Sequence, residues 1–153
     1  MPSARLIAPL ATAVALACAG AAVATGLDRA HYAGSSPDQT TTRLRLSSDG
    51  KRVAKMRIFY PLVCDGQRAG RTYTDIYPIP LRRDRSFTGR GHYYGSTNHW
   101  LNKFVVKGKL SSRRARGTFS LRESGTNPVT GASVHCQSGS TGSVVWTASR
   151  VRR

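Results

Sequence analysis

The chain predicts an all-β fold: a single-domain antiparallel β-sandwich of about seven or eight strands. Three observations carry this. From Thr40 onward, short runs of alternating apolar and polar residues are separated by turn signals every ten or so residues. No helical period, heptad or internal repeat follows the first two dozen residues. The two cysteines of this segment, Cys64 and Cys136, stand far apart, where one bridge would staple distant strands.

The chain begins with a short start carrying one charge, Arg5. An apolar run from Leu6 to Ala17, interrupted only by Pro9 and Thr12, follows it. Ala22-Val23-Ala24 supplies a small-x-small cleavage pattern. Too short for a permanent span, the run reads as a secretory signal peptide over residues 1–24, and no transmembrane domain is expected. A lipoprotein alternative exists: Ala15-Leu16-Ala17-Cys18 is a poor cleavage box that would leave Cys18 lipidated and the following residues as a membrane tether. Residues 25–39 read as a flexible arm, and residues 40–153 as the β-sandwich domain.

Outside the cytosol, Cys64 and Cys136 are expected to form one disulfide, with free thiols as the alternative. The loop it closes, about 73 residues, makes such a bridge worth roughly 4 kcal/mol in the chain-entropy model.

The first hairpin places Thr42, Leu44 and Leu46 on one face and Arg43 and Arg45 on the other. Ser48-Asp49-Gly50 suits a type I turn closed by Gly50 in the left-handed region. That loop pairs Leu46 with Arg52, Leu44 with Ala54 and Thr42 with Met56, and puts the even-numbered residues from Ala54 to Cys64 inside. In a second hairpin Phe104, Val106, Gly108 and Leu110 face Leu121, Phe119, Gly117 and Ala115 across a loop at Ser111 to Arg114. The facing glycines Gly108 and Gly117 call for something bulky above them. Further strands are expected over Arg71 to Ile79, Arg85 to Tyr94 and Ser143 to Arg150, the last burying Val144, Trp146 and Ala148.

Ser48-Asp49-Gly50-Lys51-Arg52-Val53, Cys64-Asp65-Gly66, Phe87-Thr88-Gly89, Cys136-Gln137-Ser138-Gly139 and Trp146-Thr147-Ala148-Ser149-Arg150 together carry a resemblance. The chain resembles a group of small exported actinobacterial proteins of uncharacterised function that share a DGKRV hairpin, two cysteines and a terminal WTAxR. The resemblance covers most of residues 40 to 150. It implies an all-β sandwich with the two cysteines joined, and it brings no catalytic or binding residues with it.

Charge gives the leading functional reading. The whole chain carries +17; without Arg5, 23 basic side chains stand against 7 acidic ones, a net +16. Such a balance favours phosphate, carboxylate or sulfate surfaces and disfavours a cationic partner. The expected registers set Arg43 opposite Lys55, Lys109 opposite Arg116 and Lys103 opposite Arg122, like-charge pairs that cost stability. With Arg45, Arg57, Arg113 and Arg114, these residues form a candidate surface for an anionic envelope or extracellular polymer. The competing account is a solvated face that keeps the protein soluble and discourages edge pairing.

The alternative is a carbohydrate- or protein-recognition module using the aromatic loop residues Tyr93, Tyr94 and Trp100. Its own competitor is a strand and loop with Tyr93 or Trp100 turned into the core. No cofactor and no metal are expected: His92, His99 and His135 lack the close spacings of zinc sites. Nucleophile elbow, phosphate-cradling glycine loop and HExxH are all missing from the sequence. The chain therefore reads as non-enzymatic. Asp75 and Glu123 are the acids to inspect if it is instead a small hydrolase.

Overall fold

Ten strands and no helix make up the described residues, 29–94 and 100–151, of a computed structural model. In chain order they are β1 His31–Ser35, β2 Thr41–Leu46, β3 Arg52–Cys64, β4 Gln67–Ile76, β5 Ile79–Pro80, β6 Ser86–Tyr94, β7 Trp100–Leu110, β8 Arg114–Thr126, β9 Ser133–Ser138 and β10 Val144–Arg150. The expected leader, with Cys18, lies outside the described residues. Among those described, no helix is long and apolar enough to cross a membrane.

All pairings are antiparallel, but the sheet closes on itself where a sandwich was expected. The order β10-β1-β2-β3-β9-β8 returns to β10, giving a six-stranded barrel. The other four strands extend it: β7 and β6 beyond β8, and β4 and β5 beside β3. Closure depends on the two longest strands. Along one edge β8 pairs first with β10 and then with β9, while β3 pairs first with β2 and then with β9. Side-chain alternation tells which face is buried, and it is the same for a sandwich and a barrel.

The expected flexible arm is corrected by β1. Residues 31–35 pair with β2 on one side and β10 on the other. Tyr32 is 1% exposed and donates its hydroxyl to the Ser111 carbonyl at 2.8 Å. Gly34 is a place where a side chain will not fit: a Cβ there would stand 2.6 Å from the Thr147 carbonyl oxygen. With one large apolar residue in five, the segment is too short to show a period.

The first hairpin keeps its expected face but not its register. Leu46 lies opposite Val53, Leu44 opposite Met56, and Thr42 opposite Ile58. The loop is one residue longer than expected, since the Ser47 amide bonds the Arg52 carbonyl at 3.0 Å. A bulge at Ala54 adds a second residue. Together they shift the pairing by two, which preserves the side. The bulge also lets Val53 and Met56, three apart, both point inward. Gly50 takes the expected left-handed conformation, φ 65°.

Leu121, Phe119, Gly117 and Ala115 of the second hairpin pair as expected with Phe104, Val106, Gly108 and Leu110. The bulky group above the glycines is Trp146. A Cβ on either Gly108 or Gly117 would come within 2.6 Å of its ring carbon Cζ2. Phe87 stacks 6.0 Å from the same ring. The expected strand from Arg71 to Ile79 is divided at Pro78, which has no amide to donate, into β4 and β5. Cys64 and Cys136 are directly opposite in β3 and β9 and are joined by the disulfide.

Candidate functional site

Alternation along β2, β3 and β4 turns one set of side chains outward, and the registers assemble them into a lattice. One row runs Ala33, Arg43, Arg57, Asp75 across β1 to β4. The row beside it runs His31, Arg45, Lys55, and on the other flank lie Thr41, Phe59 and Tyr73. Arg43 thus faces Arg57 rather than Lys55, and Lys55 faces Arg45; the two-residue shift exchanges partners but leaves like charge opposite like charge. Arg43, Arg45, Lys55 and Arg57 line one groove of about 560 Å³ with His31 and Tyr32.

Asp75 is the carboxylate of this face. Arg57 donates to it through both arms of its guanidinium, Nε to Oδ1 and Nη2 to Oδ2, each at 2.6 Å. Those bonds hold the Asp75 carboxyl below its ordinary range despite partial burial, and they push Arg57 up. Among the described residues no carboxylate pairs with Arg43, Arg45 or Lys55. The face therefore keeps a local excess of positive charge.

Two aromatic side chains complete it, and the sequence reading passed over both. Tyr73 and Tyr77 are 50% and 54% exposed. The Arg57 guanidinium carbon lies 4.4 Å from the Tyr73 ring centre, and Lys55 Nζ lies 5.2 Å from that of Tyr77. The signal was present in Thr72-Tyr73-Thr74-Asp75-Ile76-Tyr77: if Thr74 and Ile76 face in, then 73, 75 and 77 share the outer face. His31 was assigned to the arm and so was missed as well.

The remaining basic candidates gather elsewhere. Lys109 opposes Arg116, as expected, and with Arg114 they border a groove of about 650 Å³ that also touches β10 and β1. Lys109 lies 3.9 Å from Asp84, an exposed and loose contact. Lys103 opposes Arg122, and both border a third groove beside His135 and Gln137. Arg113 is exposed at the tip of the second hairpin. The first two grooves are linked in register, Arg114 to Ser149 to Ala33 to Arg43. Three strand spacings separate the two arginines, about 14 Å.

The aromatic alternative comes apart. Tyr93 has the inward parity of β6 but is still 39% exposed, with partial burial raising its hydroxyl pKa and a bond to Thr74 lowering it, whereas Tyr94 has the opposite parity and is 64% exposed. The Trp100 side chain lies outside the described residues. Adjacent strand residues point to opposite faces, so Tyr93 and Tyr94 cannot stack on one ligand.

The two acids inspected for hydrolysis are likewise apart. Asp75 lies on the outer face, while Glu123 points inward in a row Tyr93, Asn102, Glu123, Cys136 that crosses β6 to β9. Burial alone pushes the Glu123 carboxyl up. Opposite it, Asn102 is 4% exposed and its Oδ1 has no hydrogen-bond partner. Among the described residues no group of three His, Cys, Asp or Glu side chains is placed to hold a metal ion. In comparisons with known proteins, no family model, no curated protein and no solved structure matches this chain.

Proposed function

We propose that the protein is exported and acts without catalysis, binding an anionic envelope or extracellular polymer through the outer face of β2 and β3. The observation that carries this is the set Arg43, Arg45 and Lys55 around one groove, with the nearest carboxylate already bound to Arg57. Opposing like charges cost a sheet stability, and the cost is recovered when a polyanion lies between them. The disulfide and the leader-like start support export, and so does the resemblance to small exported proteins. A lipid on Cys18 would hold the protein at a membrane surface.

The experiment is retention on a sulfated-polysaccharide resin over a salt gradient. The triple variant Arg43→Ala, Arg45→Ala, Lys55→Ala should elute at much lower salt than a control losing Lys51, Arg82 and Arg83, an equal charge removed from turns. Its log-log salt slope should fall by about 2 to 3. Equal elution of the two variants would leave charge as a solubilising device and overturn the proposal.

A further inference from the structure

We propose that the polymer taken by the β2–β4 face is single-stranded nucleic acid, with phosphates along Arg43, Arg45 and Lys55 and bases stacked on Tyr73 and Tyr77. This rests on the polyanion reading and names the ligand class for the same site.

Spacing is the first argument. Tyr73 lies in β4 and Tyr77 one residue past its end, over Arg57 and Lys55 respectively; four extended residues span about 13 Å at 3.3 Å per residue. The two rings border the cationic rows at a distance of one or two strands, about 5 to 10 Å. A strand of nucleic acid presents a charged backbone and displaced flat rings, and a basic track flanked by aromatic platforms is how sequence-tolerant sites hold it. A duplex has its rings already stacked away.

Pre-organisation is the second. Both tyrosines are half exposed on a charged face, so core packing does not account for them. Arg57, tied down by Asp75, lies against Tyr73, and Lys55 stands by Tyr77. The rings are steadied before any ligand arrives, which lowers the ordering cost of binding.

The third argument separates nucleic acid from acidic polysaccharide. Sugar hydroxyls donate as well as accept, and this face is poor in acceptors: its carboxylate, Asp75, already takes a bond from Arg57 on each oxygen. Cationic donors and π faces remain. Those suit phosphates and bases.

The test uses fluorescence anisotropy with the folded protein at physiological salt. The probes are a 15-residue thymidine oligonucleotide, a base-free strand with the same phosphate count, a 15-base-pair duplex and a sulfated polysaccharide. Wild type should hold the thymidine strand more tightly than the base-free one. Tyr73→Ala with Tyr77→Ala should weaken the thymidine strand roughly 5- to 150-fold per ring and leave the base-free strand unchanged. Tyr73→Phe with Tyr77→Phe should keep the affinity. Arg43→Ala with Arg45→Ala should weaken both strands. If wild type binds the two strands equally, this inference fails while the polyanion reading stands. That comparison needs no variant, so misfolding cannot obscure it. Polysaccharide binding that depends on the tyrosines as strongly would also overturn it, in favour of a glycan site. Binding to none of the four probes would overturn both readings.

Discussion

Arg57 grips Asp75 across the β3–β4 register, two hydrogen bonds of 2.6 Å from one guanidinium to one carboxylate. The pair fixes Arg57 against Tyr73 and lowers the Asp75 pKa from its ordinary 3.8. A lowered carboxyl contributes stability that is present above the unfolded pKa and lost as pH falls through the folded one. Thermal midpoints of the wild type should therefore drop on acidification below about pH 4. In Asp75→Asn this part of the acid limb should be absent, so the two curves converge at low pH. Parallel curves down to pH 2.5 would show that the pair carries no such linkage.

Glu123 has the opposite sign. Burial raises its carboxyl from the ordinary 4.5, so its stability contribution is complete below that value and is lost as pH rises through the folded pKa. Its surroundings are Tyr93, Asn102 and Cys136 on the inner row, with Tyr60 close enough to sense its charge. Glu123→Gln should melt higher than wild type at pH 7, and the gap should close near pH 4. The amide also offers a donor to the unpaired Asn102 Oδ1. An equal gap at both pH values would rule out titration as its cause.

Gly117 admits no side chain. A Cβ there would overlap the Lys107 carbonyl oxygen and stand 2.6 Å from Trp146 Cζ2. Backbone and core both have to move, so Gly117→Ala should cost about 3 kcal/mol or more in urea unfolding. Trp146→Ala, which empties the space above both glycines, should cost about 3 to 5 kcal/mol. A loss under about 1 kcal/mol in either variant would contradict this packing.

Tyr32 tests whether the β1 segment belongs to the barrel. Tyr32→Phe leaves the Ser111 carbonyl without its donor and should cost about 1 kcal/mol. Tyr32→Ala, which also opens the core, should cost about 3 to 5 kcal/mol. A detached arm would show neither effect.

Periodicity in the sequence was enough to give the buried faces of β7, β8 and β10 and that of β3 from Met56 onward; at the start of β3 it put Ala54 inside and Val53 outside, and the bulge reverses this by burying Val53. Gly108 facing Gly117 even announced a bulky cover, though not that Trp146 supplies it. Closure of the sheet was not legible, since β3 and β8 each bend to meet two partners along one edge and alternation is blind to bending. The register of the first hairpin escaped for a related reason: a longer loop and a bulge at Ala54 cancel in parity while moving every pair by two. As for the site, the charges of Arg43, Arg45, Lys55 and Arg57 could be placed on one side from parity alone. Tyr73 and Tyr77 join them only through the pairing of β4 with β3, which parity within one strand does not reveal.

The first and last strands are neighbours: β1 is held between β2 and β10, Tyr32 opposite Arg150. The final stave of the barrel is thus the last to be synthesised, and its seat on β1 waits open for more than a hundred residues. Contacts this distant along the chain close slowly. Until Arg150 emerges the hairpins can pair but the seam between β1 and β8 has no strand to fill it, so the barrel is shut only by its last-made stave.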